Sequence, residues 1–204
     1  VESGAEITVG CIEVPLEQAR AFGVMAVDAD GRITSFEEKP EHPTPMAGRS
    51  DQALASMGIY IFRTEVLIDE LLRDADCPDS KHDFGANIIP DVIHRLRVTA
   101  FPFRSAGDQR QAYWRDVGTI DAFWEANMDL ASTVPELDIY DTHWPIWTYQ
   151  RQLPPAKFVP DRDGHNGTAV NTLVSGGCIV SGSHVAHAVL FSEVRIHSFC
   201  NVQE

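Results

Sequence analysis

Tyr113-Trp-Arg-Asp-Val-Gly-Thr119 joins two different patterns. Its aromatic and β-branched residues suit a strand, and Gly118-Thr119 leads into an amphipathic run from Ile120 to about Ala131, with Phe123 and Trp124 on the inward side. A strand that hands over to a helix at a polar rim is the building unit of open α/β sheets, and ligands gather at that rim. Asp116 stands there. Two readings are open for it: a charge that only complements the helix macrodipole, or a ligand for a metal ion or a metal-bound phosphate. A second polar cluster upstream, Phe36-Glu37-Glu38-Lys39-Pro40, favours the second reading.

Towards the N-terminus, Ile7 to Val14 is apolar on both alternating faces, which predicts a buried parallel strand, and a short helical turn follows Pro15. Phe22 to Asp28 and Gly31 to Phe36 flank the turn Asp28-Ala-Asp-Gly31 and predict a hairpin. Pro40 biases Lys39 to an extended backbone at the end of that hairpin. His42 to Asp51, rich in Pro, Gly and Ser, predicts a mobile loop, and Leu54 to Phe62 a further strand. Thr64 is placed to cap a helix over Glu65 to Arg73, with Leu67, Ile68, Leu71 and Leu72 on one side. After a loop from Cys77 to His82, Asp83 is placed to cap a second helix, where Ile89, Val92, Ile93 and Leu96 share a face. Val98 to Phe103 returns as a strand. Strands and helices alternating at this spacing predict an α/β sandwich.

The composition changes after Leu130. Val134 to Val159 has four prolines and no clear period, and it predicts an ordered linker packed by Tyr140, Trp144 and Trp147. Asp161 to Gly167 reads as a turn. From Asn171 onward apolar residues recur every sixth position: Val174 and Val180; Ile179, Val185 and Phe191; Leu190, Ile196 and Val202. Six-residue spacing points to a parallel β-helix, with one slip of phase near Val189 and an ordinary antiparallel domain as the alternative. The expected division is 1–131, part of an α/β domain; 132–168, a linker; and 169–204, the start of a β-helix.

The 204 residues are 44% hydrophobic, enough for a real core. No apolar run approaches the roughly 20 residues that cross a bilayer, and the first residues lack a signal-peptide pattern, so a cytoplasmic location is expected. A formal net charge of −14 disfavours nucleic acid and anionic membranes as partners, although one lysine with a divalent cation still admits a small anionic ligand. Cys11, Cys77, Cys178 and Cys200 show no metal-ligand spacing and are expected to be buried reduced thiols. His184 and His187, three apart in a strand, are expected to face opposite ways and not to share a metal. No initiator methionine stands at Val1, and the β pattern runs uncapped to Glu204, so a piece of a longer chain is expected.

FGVMAVD, FEEKP, SMGIYIF, HDFGANIIP, YWRDVGT, NMDLAS and LVSGGCIVSG, in this order and spacing, resemble the glucose-1-phosphate adenylyltransferase (ADP-glucose pyrophosphorylase) family across essentially the whole chain. VPELD and PPAKFV strengthen the likeness. The resemblance implies a Rossmann-like nucleotidyltransferase domain followed by a left-handed parallel β-helix. It implies an Mg²⁺-dependent enzyme that joins ATP and glucose 1-phosphate into ADP-glucose and pyrophosphate for glycogen synthesis, usually as a tetramer under small-molecule allosteric control. By position, Gly23 matches the glycine whose backbone lies against the sugar phosphate. Glu38 and Lys39 match the pair that holds glucose hydroxyls and the sugar phosphate, Ser56 a serine that contacts glucose, and Asp116 one of two metal-holding carboxylates. The family's other metal-binding aspartate and its glycine-rich nucleotide loop match nothing in this chain, so the chain alone is expected to be inactive. The alternatives are a pyrophosphorylase for another nucleotide sugar and a non-catalytic regulatory subunit.

The residues suit the implied chemistry. Phosphoryl-type transfer needs positioning and charge neutralisation more than covalent catalysis. Lys39 offers a point charge, Glu38 an acceptor for hydroxyls, Asp116 a cation ligand, and Gly23 a backbone open to close approach.

Overall fold

The computed structural model describes residues 4–105 and 109–203, which form two compact units with the boundary between Ala112 and Tyr113. No described helix is long and apolar enough to cross a membrane.

The first unit holds strands β1 (Ile7–Pro15), β2 (Gly23–Val27), β3 (Ile33–Glu38), β4 (Gln52–Phe62) and β5 (Val98–Pro102), with helices α1 (Leu16–Ala19), α2 (Thr64–Ala75) and α3 (Ile89–Val92). The sheet order is β3-β2-β4-β1-β5. β1 is parallel to β5 only. Its other neighbour, β4, runs antiparallel because the chain returns along β1 after the β2–β3 hairpin, so the parallel pairing expected of this strand is met on one side only. Between Gly10 and Cys11 the β1–β4 register shifts, and Met57-Gly58 of β4 bulges out with Gly58 at a φ of +69°. Cys11 and Ile12, neighbours in sequence and so on opposite faces of β1, are both buried. Ile7, Val9, Phe36, Leu54, Ile89 and Val98 are among the core residues. The Pro-rich stretch before β4 is tied down where the Met46 N–H donates to Gln52 O at 2.8 Å.

Two helix expectations are corrected. Thr64 has already entered α2, whose N-cap is Arg63 with no side-chain bond. Ile68, Leu71 and Leu72 are exposed, and the buried residue of α2 is Glu70. Glu70 tolerates burial because Arg95 grips both its oxygens, at 3.0 and 2.7 Å. Asp83 does cap its helix, accepting from the Ala86 N–H at 2.7 Å, but the first turn, Phe84–Ile88, is π-helical before α3 begins. Pro90 has no N–H with which to draw that turn into an α ladder.

In the second unit, α4 spans Ile120–Ala131, and Thr119 Oγ1 accepts from the Ala122 N–H at 3.1 Å as its N-cap. Tyr113 to Val117 joins no ladder among the described residues, so the predicted strand is absent. Side chains hold it instead: Tyr113 OH donates to Asp129 at 3.1 Å and Arg115 Nε at 2.9 Å. Phe123 and Trp124 are about half exposed, and Tyr140, Trp144 and Trp147 are largely exposed. Neither the inward aromatic pair nor the aromatic packing of the linker is observed. The second unit by itself offers these rings no buried site.

The rest of the unit is a parallel β-helix of β6 (Lys157–Val159), β7 (Thr168–Val170), β8 (Leu173–Val174), β9 (Ile179–Ser181), β10 (His184–Ala186), β11 (Val189–Leu190), β12 (Arg195–Ile196) and β13 (Asn201–Gln203). Every pairing is parallel, in the three sheets β7-β10-β13, β8-β11 and β6-β9-β12. Thr168 opposes His184, Leu173 opposes Val189 and Ile179 opposes Arg195, each a coil of 16 residues; the step from His184 to Asn201 is 17, and that from Lys157 to Ile179, which takes in the turn at 161–167, is 22. The inward row is Ala169, Val174, Val180, Val185, Leu190 and Ile196, in steps of five or six. Phe191 is exposed, so Ile179, Val185 and Phe191 are not one inward row. Corners explain the short steps. Asn171 and His187, Gly177 and Glu193, and Gly182 and Phe199 all have positive φ, each pair one coil apart, so the chain turns within a single left-handed residue.

All four cysteines are free. Cys11 and Cys178 are buried, whereas Cys77, in the loop after α2, and Cys200, on the last described coil, are exposed, which corrects the expectation for those two. His184 Nδ1 lies 2.9 Å from Thr168 Oγ1, and His187 Nδ1 lies 3.0 Å from Asn171 Nδ2, each bonded to the preceding coil.

Candidate functional site

The hairpin β2–β3 sets Gly23, at the start of one strand, opposite Glu38, at the end of the other. The next residue, Lys39, does not continue extended. Its N–H donates to Phe22 O at 3.0 Å and its φ is +47°. Pro40 disfavours the right-handed helical region for its predecessor, and the bond to Phe22 turns the chain out of the strand, so Lys39 takes the left-handed region instead. Its Nζ comes to 3.9 Å from Glu38 Oε1.

Two glycines make room for the Glu38 carboxylate. A Cβ on Gly85, in the π-helical turn, would overlap Glu38 Oε2 and stand 3.0 Å from Cδ. A Cβ on Gly23 would stand 3.0 Å from the same Oε2, but only 2.5 Å from Phe36 Cζ. The bareness of Gly23 therefore serves the Phe36 ring first. Burial raises the Glu38 pKa above its ordinary value, Lys39 works against the rise, and Asp83 adds to it.

Ser56 is buried in β4 just ahead of the bulge, where its Oγ accepts from the Gly58 N–H at 3.2 Å. Tyr60, on the same strand, stacks on Phe84 with ring centroids 5.5 Å apart. Burial pushes the Tyr60 phenol up. The neighbouring Ser56 hydroxyl opposes the rise, and the charges of Glu38 and Asp83 reinforce it. The first unit thus brings Gly23, Glu38, Lys39 and Ser56 into one cluster and adds Tyr60, Asp83, Phe84 and Gly85, none of which had been assigned a site role. A signal for Gly85 was available: a glycine just inside a helix costs roughly 0.5–1 kcal/mol relative to alanine and needs a reason.

Chemically, the cluster offers an acceptor carboxylate, an ammonium on a side chain that is 65% exposed, and two hydroxyls. Such a set suits a ligand with many hydroxyls and one negative charge.

Asp116 lies in the second unit, exposed, between Arg115 and the glycine at 118. A Cβ on Gly118 would stand 3.0 Å from Asp116 Oδ2, and Arg115 is engaged by Asp129 at 2.9 Å. Among the described residues Asp116 has no ion pair. A free carboxylate of this kind fits Mg²⁺, which keeps several waters and takes one or two carboxylates together with phosphate oxygens. Elsewhere, Asp161, Asp163 and His165 bring possible ligand atoms within 4.8 Å of one another. The Asp161 carboxylate is already used by the turn: Oδ1 accepts from the N–H groups of Asp163 and His165 at 2.9 Å, and Oδ2 lies 2.9 Å from His165 Nδ1.

Residues 1–133 match the nucleotidyl transferase family, and residues 154–204 match the GlmU-like C-terminal hexapeptide family, whose repeats are of the left-handed β-helix type. The chain is 58% identical over 202 residues to the glucose-1-phosphate adenylyltransferase of Methylococcus capsulatus, covering 99% of this chain and 48% of that protein. It is 57% identical over 203 residues to the enzyme of the same name from Saccharophagus degradans, with the same coverage. To that of Pectobacterium carotovorum it is 55% identical over 206 residues, again at 99% and 48%. The chain spans about half the length of the curated relatives it matches.

Proposed function

Because this chain belongs to the nucleotidyl transferase family through residues 1–133, we propose that it is part of a glucose-1-phosphate adenylyltransferase and carries the sugar-phosphate side of that site. The observation that carries the reading is the Glu38 carboxylate, seated where Gly85 leaves space, with the Lys39 ammonium 3.9 Å away. The names of its relatives supply glucose 1-phosphate and the transfer of an adenylyl group, for which ATP is the donor in this reading.

In this reading Lys39 neutralises the phosphate of glucose 1-phosphate, and Glu38, Ser56 and Tyr60 receive or donate to glucose hydroxyls. A phosphate oxygen of the sugar then forms a bond to the α-phosphorus of ATP while the bond from that phosphorus to the bridging oxygen breaks, releasing pyrophosphate. Asp116 would hold Mg²⁺, which when bound supplies charge screening on the phosphates. The Glu38 carboxylate, seated against Gly85, and the Lys39 ammonium beside it set a hydroxyl acceptor and a positive charge side by side, as a sugar phosphate requires. The wider role completing the reading is a cytoplasmic homotetramer in glycogen synthesis under small-molecule allosteric control.

The test is pyrophosphate release by the intact protein that contains this chain, with Mg²⁺, glucose 1-phosphate and each of ATP, UTP, dTTP and GTP. Preference for ATP is expected. A higher kcat/KM with another nucleotide would make it a different pyrophosphorylase, and no turnover with any of them would point to a regulatory subunit.

A further inference from the structure

The segment between α2 and α3 delivers Asp83, Phe84 and Gly85 to the Glu38 carboxylate, yet its fixing point lies outside that cluster. Asp74, in the last turn of α2, has both carboxylate oxygens engaged by the segment. Ser80 Oγ donates to Oδ1 at 2.5 Å, and His82 Nδ1 lies 2.7 Å from Oδ2. Ser80 Oγ also accepts from the His82 N–H at 3.0 Å. Further along, Asn87 Oδ1 accepts from the Lys81 N–H at 3.2 Å, and Asp83 Oδ1 from the Ala86 N–H at 2.7 Å.

This network holds an unfavourable backbone in place. His82 has a φ of +56°, a conformation that a non-glycine residue keeps only when its surroundings over-determine it. The Asp74 side chain is 13% exposed. Its bond from Ser80, and then that from His82, keep its carboxyl below the usual range against the opposing effect of desolvation.

We propose that Asp74 is a positioning residue for sugar-phosphate binding: by gripping Ser80 and His82 it fixes the backbone on which Asp83 and Gly85 meet Glu38. The proposal rests on the function proposed above. Asp74 touches no group of the Glu38 cluster directly. Its effect is carried by one residue step, from His82 to Asp83, into the turn whose bare Gly85 seats the carboxylate. Release of Ser80 and His82 frees the segment to relax His82 out of its left-handed conformation, and the seat of Glu38 moves with it.

The test uses the intact protein with Asp74→Ala, Asp74→Asn and Ser80→Ala, read by steady-state kinetics and by amide hydrogen exchange across residues 80–88. Asp74→Ala should raise the KM for glucose 1-phosphate about tenfold, with kcat and the KM for ATP within about twofold of wild type. Exchange across residues 80–88 should speed up. Asp74→Asn, which keeps one acceptor oxygen, should restore part of the lost affinity, and Ser80→Ala should give a smaller shift of the same kind. The proposal is overturned if Asp74→Ala leaves exchange in the segment unchanged, or if both KM values and kcat worsen together as in a general loss of fold. Should Asp74→Ala fail to fold, Ser80→Ala, which removes a single hydroxyl, decides by the same two readouts. If wild-type protein does not consume glucose 1-phosphate, the functional reading falls, and the exchange result alone decides whether Asp74 fixes the segment.

Discussion

Glu38 and Gly85 meet too closely for a side chain: a Cβ on Gly85 would overlap the Oε2 of Glu38. Gly85 does not have the positive φ that demands glycine, so what excludes a side chain there is the carboxylate. Gly85→Ala should therefore fold, with the helix-propensity gain of up to ~1 kcal/mol offsetting part of the crowding. The methyl group should push Glu38 off its seat and raise the KM for glucose 1-phosphate roughly tenfold. Kinetics beside a thermal melt will check both halves.

Gly23→Ala should behave differently. Its Cβ would stand 2.5 Å from the Cζ of Phe36, a ring that is 6% exposed and part of the core. Overpacking of this kind typically costs ~1–3 kcal/mol. A lower denaturant midpoint at an unchanged slope is the expected signature.

Glu38 carries a stability penalty that depends on pH. Burial raises its folded pKa, so between the ordinary glutamate value and the raised one the folded chain holds more protons on this group than the unfolded chain does. Stability is lost as pH rises through that interval, and the loss is complete above it. Glu38→Gln should then raise the unfolding temperature at about pH 7, but not at about pH 3, where the group is protonated in both states. The same variant should bind glucose 1-phosphate more weakly.

The two threonines placed at helix starts should separate cleanly. Thr119→Ala removes a hydrogen-bonded N-cap from α4 and should cost ~1 kcal/mol, whereas Thr64→Ala removes no cap bond and should stay within ~0.5 kcal/mol. Chemical denaturation of the two variants side by side measures the difference.

Much of this was legible in the chain. Asp28-Ala-Asp-Gly31 declared its hairpin because Asp28 Oδ1 accepts from the N–H groups of Asp30 and Arg32, a bonding pattern local to the turn. The coil spacing declared parallel stacking because an inward row must repeat once per corner. What failed depended on partners that local pattern does not encode. Tyr113 to Val117 has strand composition, yet a strand exists only with a ladder partner, and none stands among the described residues. The apolar residues of α2 suggested its buried face, but Glu70 took the buried position because Arg95, 25 residues away, neutralises it. In the site, Glu38 and Lys39 were visible as a motif. Gly85 left only the trace of a glycine just inside a helix, and Asp74 left none, since their importance lies in contacts made across separate turns.

The central claim is that Lys39 holds the phosphate of the sugar, and it is tested most directly by the KM for glucose 1-phosphate of Lys39→Ala in the intact protein. The Lys39 side chain is largely exposed, with its Nζ 3.9 Å from Glu38, so removal should leave the fold intact. Loss of one charge-assisted bond of ~1.5–3 kcal/mol predicts a rise of roughly 10- to 150-fold, with kcat and the KM for ATP little changed. Asp116→Ala, by contrast, should lower kcat. A folded Lys39→Ala protein whose KM for glucose 1-phosphate equals that of wild type would contradict the account.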